Sequence, residues 1–257
     1  MNKEQALGRL LAAKNFRDIC PDTVKKEFEI QLAHRGDPSS AEKAARERLH
    51  AVTGAFMTPG EARAARACLD EYLSGDESAL TRALRLHAST RERLEWMDAL
   101  FSRVLSFTGG PSRVFDAACG LNPLYLGHLG LKGVLGWDIH GGAVKLINDW
   151  ARACGWDVRA ECRDVTLSAP DETFGLALAM KLLPVLETGC KGSALTFLKS
   201  LKARFILVTF PTRTLGGRNV GMERTYSDWF VSEIAGHFEI ADVFTAGSEL
   251  CYILKEA

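Results

Sequence analysis

The residues with the clearest chemistry stand in one loop, Val114-Phe115-Asp116-Ala117-Ala118-Cys119-Gly120-Leu121-Asn122-Pro123-Leu124, which begins in a short apolar run. In an open α/β sheet, the loop at the carboxyl end of the first strand reaches the switch point where ligands sit. A pyrophosphate-binding loop needs G-x-G-x-x-G, so that the backbone can approach the phosphates at a helix N-terminus. This loop carries one glycine, Gly120, and continues into Asn122-Pro123. An acid-x-x-x-Gly loop suits instead a nucleoside with an amino-acid tail, as in S-adenosylmethionine. Asp138 follows 18 residues after Gly120, at the end of a second apolar run. It is placed to accept hydrogen bonds from both ribose hydroxyls. A third run ends Cys162-Arg163-Asp164-Val165, with a polar group where an adenine amino group would lie.

Other reactive side chains have plainer readings. Cys119 is read as a small residue packed under the loop rather than as a nucleophile. His87 and His140 are read as loop or core histidines, not as acids or bases. Trp96 and Phe101 are read as core. The seven cysteines are scattered, odd in number and without a C-x-x-C pair, which argues for free thiols in a reducing cytoplasm and against a metal site. The segment MNKEQALGRLLAAKNF mixes charge into its apolar positions. It therefore reads neither as a secretory signal nor as a membrane anchor, and no apolar run approaches the roughly 18 residues of a span.

The elements that must position these residues follow from periodicity. Over 257 residues, 47% are apolar and 25% charged, with 32 basic against 32 acidic side chains, the profile of a globular protein with room for a sizeable core. Neither half is basic: residues 1–110 carry 17 Lys/Arg and 16 Asp/Glu, so nucleic-acid binding has to come from local patches. Lys25-Lys26, Arg46, Arg48 and Arg85 form either such a patch or an ordinary solvated helix face. The first part reads as helices, at about 41–55 with Ser39 or Ser40 as cap, and at 60–73 behind Thr58-Pro59-Gly60-Glu61. A longer helix is expected over 90–107, opened by a Ser89-to-Glu92 capping box and ended by Gly109-Gly110-Pro111. From Arg113 onward, strand candidates at 113–117, 133–137, 158–162, 175–180, 205–210, 239–245 and 250–254 alternate with helical stretches. That alternation implies a doubly wound, mostly parallel sheet. The last two runs are joined only by Ala246-Gly247-Ser248-Glu249 and should pair as an antiparallel hairpin, the mark of a methyltransferase-type Rossmann fold.

These motifs together resemble the aminoglycoside-resistance 16S rRNA methyltransferases that modify N7 of a guanine in the decoding A site. The resemblance spans nearly the whole chain. It is carried by Cys20-Pro21-Asp22-Thr23-Val24, Ala45-Arg46-Glu47-Arg48-Leu49-His50, Leu86-His87-Ala88-Ser89-Thr90-Arg91-Glu92-Arg93-Leu94, the Ala118–Leu124 loop, Asp138-Ile139-His140, Lys181-Leu182-Leu183-Pro184 and Phe210-Pro211-Thr212-Arg213-Thr214-Leu215-Gly216-Gly217-Arg218. It implies an all-helical rRNA-docking domain (1–80) before an S-adenosylmethionine-dependent catalytic domain (81–257). It also implies the assembled 30S subunit as substrate, a cytoplasmic location, no membrane association and a monomer. Carried over by position, the cofactor site falls on Phe56, His87, Ala88, Ser89, Arg93, Ala118, Gly120, Asp138, Asp164, Val165 and Met180. Arg93 would hold the methionine carboxylate. Lys181, Arg218 and Met222 match positions tied to activity, rRNA engagement and the loop near the target base. Where many relatives have Gln after Leu186-Glu187, this chain reads Thr188-Gly189-Cys190-Lys191.

The implied chemistry fits the absence of an obvious general base. Guanine N7 presents an in-plane lone pair, so no proton has to be removed before attack, and catalysis rests on orientation. Trp137, Phe210, Met222 and Tyr226 are candidates to stack on a presented base. The segment Pro211–Arg224, with three arginines, one acid and three glycines, suits a flap over phosphates. Two other readings remain: a related enzyme acting on adenine N1 of the same site or on a small molecule, and a catalytically dead RNA-binding assembly factor.

Overall fold

The computed structural model describes residues 1–53, 57–212 and 222–256. Its N-terminal part is helical: α1 (Lys3–Ala12), α2 (Pro21–Arg35), α3 (Pro38–Thr53), α4 (Pro59–Leu73), α5 (Ser78–Arg85), α6 (Ala88–Arg93) and α7 (Met97–Thr108). Strands and helices then alternate through β1 (Val114–Ala117), α8 (Asn122–His128), β2 (Val134–Asp138), α9 (Gly141–Cys154), β3 (Val158–Cys162), β4 (Phe174–Met180), α10 (Leu183–Gly189), α11 (Ser193–Ser200), β5 (Ala203–Pro211), α12 (Met222–Ile234), β6 (Phe238–Ala246) and β7 (Glu249–Glu256). Among the described residues, no helix is long and apolar enough to cross a membrane.

The seven strands form one sheet in the order β3-β2-β1-β4-β5-β7-β6. Neighbours from β3 to β5 run parallel, and β7 is antiparallel to both β5 and β6. The expected α/β fold and its terminal hairpin are therefore present. Chain order reverses between β1 and β4, which places the switch point beside the loop after β1. The central strands read as nearly unbroken apolar runs because helices cover both faces. One face is closed by α4, α5, α7, α8 and α9, with Trp150, Ile147, Leu100 and Phe101 in its core; the other holds Phe115, Phe197, Phe210 and Phe230. Each such buried side chain contributes about 1.5–3 kcal/mol. Helices α1 to α3 surround a core of their own, built on Leu10, Phe16, Val24, Phe28 and Leu49.

Three local expectations need correction. The helix expected over 90–107 is two helices, α6 and α7, separated at Trp96, whose backbone lies outside the helical region (φ −125°, ψ 7°) and whose ring lies against the Gly247 turn of the β6–β7 hairpin. A tertiary contact thus overrides a continuous helical pattern. The cap of α3 is Asp37, not Ser39 or Ser40: its carboxylate accepts from the Ser39 and Ser40 amides at 3.0 and 2.9 Å. These bonds hold the exposed Asp37 carboxyl below the usual range. Finally, α6 begins at Ala88, and Ser89 turns its hydroxyl to His87 Nδ1 (3.0 Å) rather than capping a helix. The box at Thr58 and Glu61 is formed as expected.

Candidate cofactor site

The loops at the carboxyl ends of β1 and β4 carry the two non-glycine residues with positive φ among the described residues, Ala118 (52°) and Lys181 (54°). Such conformations cost energy and persist where the surroundings dictate them, often at functional sites. Gly120 is also left-handed (φ 53°), and a Cβ there would come within 2.5 Å of His87 Cε1. Only glycine fits both demands. The Gly120 amide donates to Asp138 Oδ2 (2.9 Å) and the His140 amide to Oδ1 (2.8 Å). Each oxygen keeps a further lone pair, so the Asp138 carboxylate is fixed by backbone and can still accept from two hydroxyls. His87, buried against this loop, has its pKa pushed down to about 4, chiefly by burial and against the pull of the Asp138 charge. A neutral imidazole at neutral pH packs the loop and does not serve as an acid.

Arg93 ends α6 rather than opening a helix, and it is 1% exposed. Its guanidinium is clamped by Glu249, the first residue of β7, with Nε donating to Oε1 at 3.0 Å and Nη2 paired with the same oxygen at 2.9 Å. Nη1 faces Asn122 Oδ1 at 3.3 Å, and Asn122 in turn donates to Met180 Sδ at 3.6 Å. Thr209 donates its hydroxyl to Glu249 Oε2 (2.6 Å), and the Lys181 ammonium lies 3.8 Å from Oε1 while pairing with Glu92. One buried carboxylate thus ties Arg93, Thr209 and Lys181 together across three strands and a helix.

On the far side, Asp164 is buried and Val165 packs into the core behind it. The Asp164 carboxylate accepts from the Thr166 amide (2.9 Å) and from the Thr23 hydroxyl of α2 (3.0 Å). Ala88 and Ser89 are half-buried at the start of α6. Phe56 and Arg218 lie outside the described residues, as does most of the expected flap, and Met222 is described only as the first backbone position of α12. Among the stacking candidates, Trp137 and Phe210 are enclosed in the core; Phe210 stacks on half-buried Tyr226 at 5.3 Å. Burial pushes the Cys119 thiol well up, as suits a packing residue. No His/Cys/Asp/Glu group among the described residues is placed to hold a metal ion.

Asn122, Thr209 and Glu249 carry no signal that sequence reading picks out, whereas Asp116 is the acid of the acid-x-x-x-Gly loop. Asp116 is fully buried in β1, and neither carboxyl oxygen has a hydrogen-bond partner among the described residues. Burial drives its pKa well above the carboxylate range, and the nearby Asn122 amide only partly offsets this. An unpartnered buried acid is costly unless a ligand satisfies it. A cationic ligand with hydroxyls and a carboxylate fits the set: Asp116 for positive charge, Asp138 for a ribose, Arg93 for a carboxylate. S-adenosylmethionine has all three.

Sheet order, reversed final strand and acids at successive strand ends define an S-adenosylmethionine-dependent methyltransferase. The ribosomal RNA methyltransferase (FmrO) family profile matches residues 12–253. A Serratia marcescens protein named 16S rRNA (guanine(1405)-N(7))-methyltransferase is 43% identical, over 100% of this chain and 99% of its own. The crystal structure of the 16S rRNA methyltransferase RmtF with S-adenosyl-L-homocysteine superposes with a TM-score of 0.93 at 50% identity, covering 100% of both chains. That of the 16S rRNA methylase RmtB gives 0.89 at 40% identity, covering 100% of this chain and 99% of that one. The chain belongs to the FmrO family of ribosomal RNA methyltransferases.

Proposed function

We propose that this enzyme methylates N7 of a guanine in the decoding A site of 16S rRNA, within the assembled 30S subunit, and thereby confers aminoglycoside resistance. The observation that carries the reading is full-length likeness to relatives named for that reaction, joined to a site that fits the methyl donor. S-adenosylmethionine supplies a sulfonium-bound methyl that leaves its sulfur as a neutral thioether. This chain's residues bind and orient. Asp138 takes the ribose hydroxyls, Asp164 and Val165 the adenine, and Arg93 with Asp116 the amino-acid tail. Phe56, His87, Ala88, Ser89, Ala118, Gly120 and Met180 complete the set of cofactor-binding residues. With its pKa pushed down to about 4, His87 is a weak base, and with its thiol pushed up Cys119 is a poor nucleophile at neutral pH. The N7 lone pair requires neither.

Lys181, Arg218 and Met222 serve activity and rRNA engagement. Residues 1–80 dock on the subunit, where exposed Arg48 supplies phosphate contacts, and residues 81–257 hold the chemistry. The enzyme works as a cytoplasmic monomer. The test is methyl transfer from labelled donor to intact small subunits, naked 16S rRNA and large subunits. Label confined to intact small subunits is expected; label on naked rRNA alone, or none despite tight donor binding, refutes the substrate assignment.

A further inference from the structure

The N-terminal helices do more than flank the catalytic sheet. Gly141 N donates to Asp18 O (2.6 Å) and Cys20 N to Ile139 O (2.7 Å), either side of an antiparallel bridge between Ile19 and His140. The fit is close: a Cβ on Gly141 would lie 2.9 Å from Asp18 O. The 18–20 segment is therefore laced onto the backbone directly after Asp138. One turn into α2, Thr23 Oγ1 donates to Asp164 Oδ2 at 3.0 Å, and Lys26 Nζ stands 3.5 Å from that same oxygen while also reaching the Thr166 hydroxyl. The Asp164 side chain is 5% exposed, so these partners, with Thr166, decide how its carboxylate is turned. Charge-assisted bonds of this kind are short and directional.

We propose that Thr23 and Lys26 are positioning residues for the cofactor: from α2 they fix the Asp164 carboxylate for the adenine amino group, so that the helical N-terminal segment sets which purine the site accepts. This rests on the reading that Asp164 faces the adenine. A carboxylate locked as an acceptor attracts the amino group of adenine and repels the oxo group of hypoxanthine. Released from α2, it is held through Oδ1 alone by Thr166 and can rotate about that anchor, so that both purines are received more equally. Lys26 adds a second constraint, since its ammonium draws Oδ2 toward α2 while Oδ1 accepts from the Thr166 amide and hydroxyl at 2.9 and 2.5 Å.

The test compares S-adenosylhomocysteine with S-inosylhomocysteine by calorimetry on the full-length chain. The ratio of the two dissociation constants is independent of the fraction of folded molecules, so partial misfolding of a variant does not mimic the effect. Wild type should favour the adenine ligand by about tenfold or more, the scale of a charged hydrogen bond gained or lost. The Thr23→Val/Lys26→Met double variant should lower that ratio by about fivefold, on the same scale. Thr23→Ser, which keeps the hydroxyl, should retain it, and Asp164→Asn should lose it. If Asp164→Asn lowers the ratio while the double variant keeps the wild-type value, the positioning role is overturned and the adenine placement stands. If Asp164→Asn itself keeps the wild-type ratio, the adenine placement is overturned and the proposal with it.

Discussion

Glu249→Gln isolates one charge at the centre of the site. The Arg93 and Glu249 side chains are 2% and 1% exposed, so the pair is held almost wholly away from water. Gln keeps the shape and an acceptor oxygen for Thr209 but removes the charge that Arg93 Nε and Nη2 address at 3.0 and 2.9 Å. Breaking a buried pair by neutralising one member costs about 3–5 kcal/mol, because the other charge stays buried without compensation. The retained oxygen and the Asn122 contact to Nη1 place the expected loss near about 3 kcal/mol. Urea unfolding followed by tryptophan fluorescence should show the midpoint falling by about 1 M with an unchanged slope, taking a slope of about 3 kcal/mol per molar. The Arg93→Gln/Glu249→Gln double variant should recover part of the loss, since it leaves no unpaired charge. Affinity for S-adenosylhomocysteine should fall in Glu249→Gln as Arg93 loses its fixed orientation. A shift below about 0.5 kcal/mol, within the range of an ordinary surface substitution, refutes the view that Glu249 sustains the Arg93 charge.

Gly120→Ala combines a left-handed backbone, costing about 1–2 kcal/mol for an L-residue, with displacement of a buried ring, costing about 1–3 kcal/mol. Calorimetry should show weakened S-adenosylhomocysteine binding and denaturation a loss of about 2–5 kcal/mol; an alanine that costs nothing contradicts the packing of His87 on the loop. Asp138→Ala removes the acceptor for both ribose hydroxyls and should raise the dissociation constant about a hundredfold or more, taking two charged hydrogen bonds at roughly 1.5 kcal/mol each; near-native affinity excludes that role. His87 has a folded pKa of about 4 against 6.5 unfolded, so between these values the unfolded chain binds the extra proton and stability falls as pH falls. The contribution is about 2 kcal/mol lost from pH 7 to pH 5. The raised pKa of Asp116 acts in the opposite sense, so the measurement is the difference in pH dependence between wild type and His87→Gln, and identical profiles refute the assignment. Arg218→Ala should lower methyl transfer with donor affinity unchanged; the reverse overturns the division of roles.

What the sequence made legible was whatever depends on local pattern. The strand runs, the acid-x-x-x-Gly loop and Asp138 18 residues beyond Gly120 all follow from period and spacing, and the sheet places their ends side by side as expected. Local pattern misled where a distant contact wins. Helix periodicity runs through Trp96, but its ring is claimed by the Gly247 turn, and the helix breaks there. Ser39 and Ser40 are both good caps, yet Asp37 has the reach and the charge. Glu249 was invisible for a different reason: it stands 156 residues from Arg93, in a segment that reads as a hairpin turn, and no spacing rule pairs them. Thr23 and Asp164, 141 residues apart, escaped likewise. Phe210 was selected as an aromatic near the flap, but β5 turns it into the core. Residue type and loop position identify what could touch the cofactor; the groups that orient those residues come from the tertiary fold.

The central claim, that the enzyme places a methyl group on guanine N7 of the A site, is tested most directly by locating the mark. Small subunits treated with enzyme and donor are extracted, and their 16S rRNA is reduced and cleaved with aniline, which breaks the chain only where N7 is methylated. A single new scission at the A-site guanine is the result predicted here. Incorporated methyl without N7-type scission contradicts it and transfers the assignment to adenine N1 of the same site.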